Sequence, residues 1–231
     1  MKKILITMLT ATLWAPSVFG EDGITSEKTL DIEVTRGKRW AEIYTGGNTL
    51  GHQMMETNIA PHFLFQLPDL TVALGPVVSF QQYRQEDFVG TDRLRGDGVN
   101  TEYGLESKLY FSVGNRVKLF GKLRHVVMSA GERTVVAPET DTGYDRRGRE
   151  KFSTTGSQIG VGGTMEITEF LELMVEVDYS SKTIKFKDRD FQEHQVSLTG
   201  GPDQLSLVND EETGGKSYNS TGVLVGVRAV L

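Results

Sequence analysis

The chain has four histidines and no cysteine, which narrows the chemistry it can do. His52 and His194 have no metal-ligand spacing around them. His194, Asp203 and Ser206 can be drawn as base, orienting acid and nucleophile. Any polar stretch holding those three residue types permits the same drawing, so it carries little weight. The stronger pattern is charge on alternate residues. Glu102, Glu106 and Lys108 share one phase of one run, and Lys118, Lys122 and Arg124 share one phase of the next. Glu166, Glu172, Glu176, Asp178 and Arg228 do so in three more. Both signs occur in neighbouring runs and nearly balance. Brought together, such groups neutralise one another, because buried charges need partners.

The elements that must position these charges are strands, since the recurring period is two. Leu171, Leu173, Val175, Val177 and Tyr179 oppose the acidic phase of their run. Thr221, Val223, Val225, Val227, Ala229 and Leu231 oppose Arg228. Similar apolar phases run through Phe63–Leu67, Leu70–Phe80, Leu105–Val113, Val117–Val127 and Ile159–Ile167. The weakest run is the first, where Leu30, Ile32 and Val34 alternate with Asp31 and Glu33. Continued, that phase would send Arg36 and Lys38 to the apolar side. A bulge near Gly37 is therefore expected, resetting Ala41 and Ile43 outward and Trp40, Glu42 and Tyr44 inward. Pro61 and Pro76 are also expected at bulges, because proline cannot donate to a ladder. Connections alternate in size. Leu67–Leu70, Val113–Arg116 and Thr168–Leu171 are tight turns. Arg84–Asp97, Gly131–Lys151 and Asp188–Gly215 are long and polar, with a shorter connection near Gly46–Gly51.

Residues 1–20 read as a secretory signal: Lys2 and Lys3, an apolar run from Ile4 to Trp14, then small residues before a cut after Gly20. The run is too short for a spanning helix, which needs about 20 apolar residues. Residues 21–28 are then a periplasmic tail and 29–231 a single barrel domain. The net charge of −6 argues against nucleic acid as a partner. Without cysteine there is no disulfide framework.

Alternation alone does not say which face is inside, and a soluble lipocalin-type barrel has apolar residues within. Balanced charge on the polar phase, runs of about the 9–11 residues a tilted membrane strand needs, and a last strand reaching Leu231 favour the inverse. The expected fold is all-β: an eight-stranded antiparallel transmembrane β-barrel with short periplasmic turns and long extracellular loops. In this architecture the chain resembles the small outer-membrane barrels of the OmpA transmembrane-domain, OmpX and OmpW type, over Thr29 to Leu231. The resemblance implies residence in the cell outer membrane and handling by the barrel-assembly machinery. Those proteins usually end in an aromatic residue, whereas this chain ends in Val230-Leu231. No periplasmic domain is expected after the barrel, so a peptidoglycan-binding role like that of full-length OmpA is not implied.

Some outer-membrane barrels are enzymes, but the His-x-Ser pair of the lipid A deacylase is absent at His125, which phase sets toward lipid near the outer rim. His62 should point inward near mid-barrel. A non-catalytic monomer without cofactor is expected, structural or surface-interacting, with its lumen filled by paired charges. The alternative is an OmpW-like route for small apolar molecules, hinted at by Val126, Met128, Tyr83 and Tyr110 in the upper lumen. A lipid-modifying enzyme is the third reading. Arg146, Arg147, Arg149 and Lys151 are candidate contacts for lipopolysaccharide phosphates, since guanidinium forks suit phosphate oxygens. Asp188, Asp190, Asp210, Glu211 and Glu212 in the fourth loop can join that layer through divalent cations.

Overall fold

The computed structural model describes residues 29–45, 48–89, 92–138, 144–195, 204–209 and 215–231, so the expected leader and tail lie outside the described residues. The described residues form nine strands: β1 (Leu30–Thr45), β2 (Asn48–Leu67), β3 (Leu70–Val89), β4 (Asp92–Ser112), β5 (Val117–Pro138), β6 (Tyr144–Thr168), β7 (Leu171–Gln195), β8 (Gln204–Asn209) and β9 (Gly215–Val230). Eight of them close a ring. β1 to β7 pair with their neighbours in sequence, β7 pairs with β9, and β9 returns to β1, all antiparallel. β8 adds to the outer end of β7, from Asp190↔Asn209 to Gln195↔Gln204, and takes no part in the ring.

Residue partners give the stagger of the barrel. From Leu30 they lead through Phe63, Leu74, Ser107, Leu123, Ile159, Tyr179 and Thr221 back to β1 at Trp40, ten residues further along. An eight-stranded barrel with that stagger tilts its strands by roughly 40° and encloses a space just wide enough for side chains.

The two faces are inverted relative to a soluble protein. Outward lie Ile32, Val34, Ile59, Leu74, Leu105, Leu109, Leu123, Ile159, Val161, Val175, Val177, Val225 and Val227, all exposed. The buried inward face holds Asp31, Glu33, Glu106, Lys108, Lys122, Arg124, Glu176 and Arg228. Only lipid solvates such an exterior, and closure leaves no edge with unpaired backbone groups in the hydrocarbon. Trp40, Phe80 and Tyr179 stand outward near the loop end of this belt, and Phe111 and Phe170 near the turn end. These are the two interfacial levels that aromatic rings prefer. The chain is an eight-stranded transmembrane β-barrel of outer-membrane type.

The three tight turns form as expected. Leu67 pairs directly with Leu70 across Pro68-Asp69, and Thr168 with Leu171 across Glu169-Phe170. Between β4 and β5, Gly114 takes a φ of 85°, which a residue without Cβ adopts at little cost.

Four expectations are corrected. First, β1 has no bulge at Gly37: its partners run unbroken from Leu30↔Phe63 to Thr45↔Asn48 and from Asp31↔Val230 to Ile43↔Tyr218. Trp40 therefore points outward, at 46% exposure, and Ala41 is buried inward. Arg36 and Lys38 are exposed on the outer face. A bulge would break ladders on both sides of β1 and turn Arg39 away from its carboxylate partners in the lumen. The side chains of Glu42, Ile43 and Tyr44 lie outside the described residues.

Second, Pro61 and Pro76 are not bulges. The β2–β3 register is the same at Ile59↔Val78 and Phe63↔Leu74, which sets the two prolines opposite one another within one short gap in the ladder. Two residues without N–H thus share one interruption. Gly75 beside them fits because a Cβ there would lie 1.9 Å from the Pro61 carbonyl oxygen.

Third, a bulge occurs where none was expected. Tyr103↔Met128 is followed by Gly104↔Val126, leaving Val127 as the added residue, so Val127 and Met128 both face outward.

Fourth, the long connections are largely paired ribbon. β3 and β4 pair as far as Val89↔Asp92, β5 and β6 as far as Pro138↔Asp145, and β6 and β7 as far as Tyr144↔Gln195. Outside the membrane both faces of a ribbon can be polar, so strand continues after hydrophobic alternation has stopped.

A charge-filled lumen as the candidate functional site

Three layers fill the lumen. At the turn end, Leu64, Ala73, Tyr110, Phe120, Met174 and Val230 form a buried apolar cluster. Tyr110 and Phe120 pack with ring centroids 5.3 Å apart, the Arg228 guanidinium lies 4.2 Å from the Tyr110 ring centre, and the Lys108 ammonium lies 4.8 Å from that of Phe120. Beside this cluster a cavity of about 240 Å³ opens, lined by Gln66, Lys118, Glu166, Glu169 and Glu172 among others.

Most of the ions form one connected network in the middle layer, which reaches down to Glu172 and Lys118 at the turn-end mouth, and Glu102 with Lys182 forms a second group towards the loops. Arg228 donates to Asp31 at 2.6 Å and to Glu172 at 2.8 Å, and Lys118 donates to Glu172 at 2.6 Å. His62 lies with Nδ1 2.8 Å from Asp31 and Nε2 3.3 Å from Glu106, a carboxylate facing each ring nitrogen. Lys108 bonds Glu33 and approaches Glu106 at 3.3 Å and Glu176 at 3.4 Å. Lys122 bonds Glu176 and reaches Asp178 at 2.9 Å. Arg124 is the hub: it reaches Glu106 at 2.6 Å, Glu56 at 3.2 Å, Asn58 at 3.1 Å and Ser79 at 3.0 Å. Arg39 joins Glu56 at 2.5 Å to Asp178 at 2.7 Å. Towards the loops, Glu102 accepts from Lys182 at 2.6 Å, Thr154 at 2.8 Å and Gln81 at 3.0 Å. In a dry interior each ion would be costly alone. Here every carboxylate of the middle layer faces at least one cation, and Glu33, Glu56, Glu102 and Asp178 also accept from a hydroxyl or amide.

The third layer, at the loop end, is apolar again: Ala41, Met54, Phe152, Ile184 and Tyr218, with Tyr83 packed against it. Tyr83 and Phe152 have ring centroids 5.7 Å apart.

Strand phase placed Glu102, Glu106, Lys108, Lys122, Arg124, Glu172, Glu176, Asp178 and Arg228 inward, and the structure buries all of them in the network. Lys118 belongs to it at the half-open mouth, where Glu166 lines the cavity. Six further members went unassigned: Asp31, Glu33, Arg39, Glu56, His62 and Lys182. Arg39 was lost with the expected bulge. Lys182 continues the phase of Glu172 to Ser180 and was within reach of the same argument. His62 does point inward as a bonded residue, but in the lower third of the barrel rather than at its middle.

Of the four residues that hinted at an apolar upper lumen, two lie there: Tyr83 packs against the loop-end cluster, and Val126 is buried. Met128 faces out because of the bulge, and Tyr110 belongs to the turn-end cluster. His125 faces outward as expected, with Nδ1 3.0 Å from the Ser157 hydroxyl on the neighbouring strand. The drawn triad has no described geometry: Asp203 and the side chains of His194 and Ser206 lie outside the described residues.

The basic cluster lies on the outer part of β6. Arg149 and Lys151 are exposed, while the side chains of Arg146 and Arg147 lie outside the described residues. The β7 register sets Arg149 opposite Asp190 and Lys151 opposite Asp188, and Arg149 lies 3.8 Å from Glu132 on β5. Acidic loop residues expected to bind divalent cations are thus cross-strand partners of this cluster. Asp210, Glu211 and Glu212 lie outside the described residues.

No known family profile matches the chain, and no curated relative matches it. Among solved structures it is similar to Neisserial surface protein A, at 12% identity and a TM-score of 0.42, covering 87% of this chain and 97% of that one. It is similar to Ail, the attachment invasion locus protein of Yersinia pestis, at 14% identity and a TM-score of 0.42, covering 87% and 98%. It is likewise similar to the outer membrane protein OprG from Pseudomonas aeruginosa, at 13% identity and a TM-score of 0.42, covering 91% and 99%.

Proposed function

We propose that this chain is a closed, non-catalytic barrel of the outer membrane that acts as a scaffold for what its outer ribbons and lipid-facing surface bind. The observation that carries this reading is the filled lumen, where a buried ion network lies between two apolar layers. A small ion or apolar solute would have to part several multiply bonded pairs to pass. In planar bilayers the purified protein is expected to give no steady single-channel conductance. Stable openings reproduced across preparations would replace this reading with the small-molecule route.

Surface interaction is the second part of the proposal. Arg146, Arg147, Arg149 and Lys151 would contact lipopolysaccharide phosphates, weakly, because Asp188 and Asp190 stand across from two of them. With all four replaced by Ser, the barrel is expected to fold but to lose part of the thermal stabilisation that added lipopolysaccharide confers. An unchanged response would make the cluster an ordinary solvated ribbon.

A further inference from the structure

The unbroken register of β1 places two cations where a membrane barrel avoids them. Arg36 and Lys38 are exposed on the outer face of the strand. Their outward neighbours are Thr57 and Met55 on β2 and Val225 and Val223 on β9. No carboxylate stands among these, and neither cation has an ion-pair partner among the described side chains.

Height decides what can reach them. With about 3.3 Å per residue and a tilt of roughly 40°, Arg36 lies about 15 Å and Lys38 about 20 Å above Leu30 at the turn end. The apolar belt of such a barrel is about 25 Å tall. Both residues therefore sit in its outer half, just beneath Trp40. Their stems can lie along the neighbouring Val223 and Val225 while their heads rise to the headgroup level. Two cations two residues apart on one strand face stand about as far apart as the oxygens of one phosphate group can bridge, and Thr57 beside Arg36 adds a hydroxyl.

We propose that Arg36 and Lys38 form an intramembrane site for the phosphate of an anionic outer-leaflet lipid, with a phosphate monoester as the preferred headgroup. The site lies on the β9–β1–β2 wall, apart from the basic ribbon on β6. It would hold one lipid against the seam where the first and last strands of the barrel meet.

Trp40 provides the readout, because the chain has two tryptophans and Trp14 precedes the barrel. The full chain carrying Trp14→Phe would be reconstituted in phosphatidylcholine vesicles holding a minor fraction of acyl-brominated lipid. That lipid would be either phosphatidic acid or phosphatidylcholine. Brominated phosphatidic acid is expected to quench Trp40 several-fold more strongly than brominated phosphatidylcholine at the same fraction. The preference should vanish in Arg36→Gln/Lys38→Gln. It should persist in the charge-conserving exchange Arg36→Lys/Lys38→Arg and in Arg149→Gln/Lys151→Gln. Equal quenching by the two lipids, or a preference surviving the double Gln variant, overturns the proposal. Headgroup-independent protection of Trp40 that grows with protein density would assign the face to a second copy of the chain and overturn it too.

Discussion

Replacing Glu176 with alanine is expected to lower the unfolding free energy by about 3–5 kcal/mol, the usual cost of removing one partner from a buried ion pair. Glu176 is buried, bonds the Lys122 ammonium and lies 3.4 Å from that of Lys108. Its loss leaves Lys108 and Lys122 depending on Glu33, Glu106 and Asp178, which serve other cations as well. Water cannot readily replace it, since apolar layers lie above and below. The adjacent Val175→Ala is the internal control. Val175 is exposed on the outer face, and there lipid tails solvate it about as well as protein does, so truncation should cost about 1 kcal/mol or less. Urea unfolding of the barrel in vesicles measures both. Equal, small effects would mean that the inner and outer faces have been exchanged.

The fold was legible wherever one side of a strand meets lipid and the other meets packed ions. At Leu171–Ser180 and Thr221–Leu231 nearly every residue obeys that division, and the observed phase matches the expected one. Legibility failed where a second requirement competes with alternation. In β1 the lumen needs Arg39, to join Glu56 to Asp178, and it holds the phase even though Arg36 and Lys38 go outward. At Val126-Val127-Met128 three apolar residues in a row hide an added residue, because the run looks the same with or without a bulge. Pro61 and Pro76 are informative only as a pair, and pairing is a long-range fact that spacing along the chain does not reveal.

The ion network was readable to the same extent and for the same reason. Its assigned members lie on strands of clear phase. Asp31, Glu33 and Arg39 lie on the strand whose phase was in question. Glu56 and His62 lie on the strand of Pro61, and Lys182 continues the phase of Glu172 to Ser180 and was within reach of the same argument. The ribbons were read as loops because alternation is no longer enforced beyond the lipid belt. Outside the membrane water can solvate both faces of a paired ribbon, so backbone pairing there has no hydrophobic signature.

The second large effect is partition itself, and it tests the inverted barrel most directly. Every strand of the ring shows an apolar outer face, so the folded protein should be found wholly in the membrane fraction and need detergent for extraction. Circular dichroism in micelles should show β-structure. The unboiled sample should run at a mobility distinct from the boiled one, because the closed ring resists the gel detergent until heated. A detergent-free, soluble monomer recovered from the periplasm, or a helical spectrum in micelles, would contradict the account.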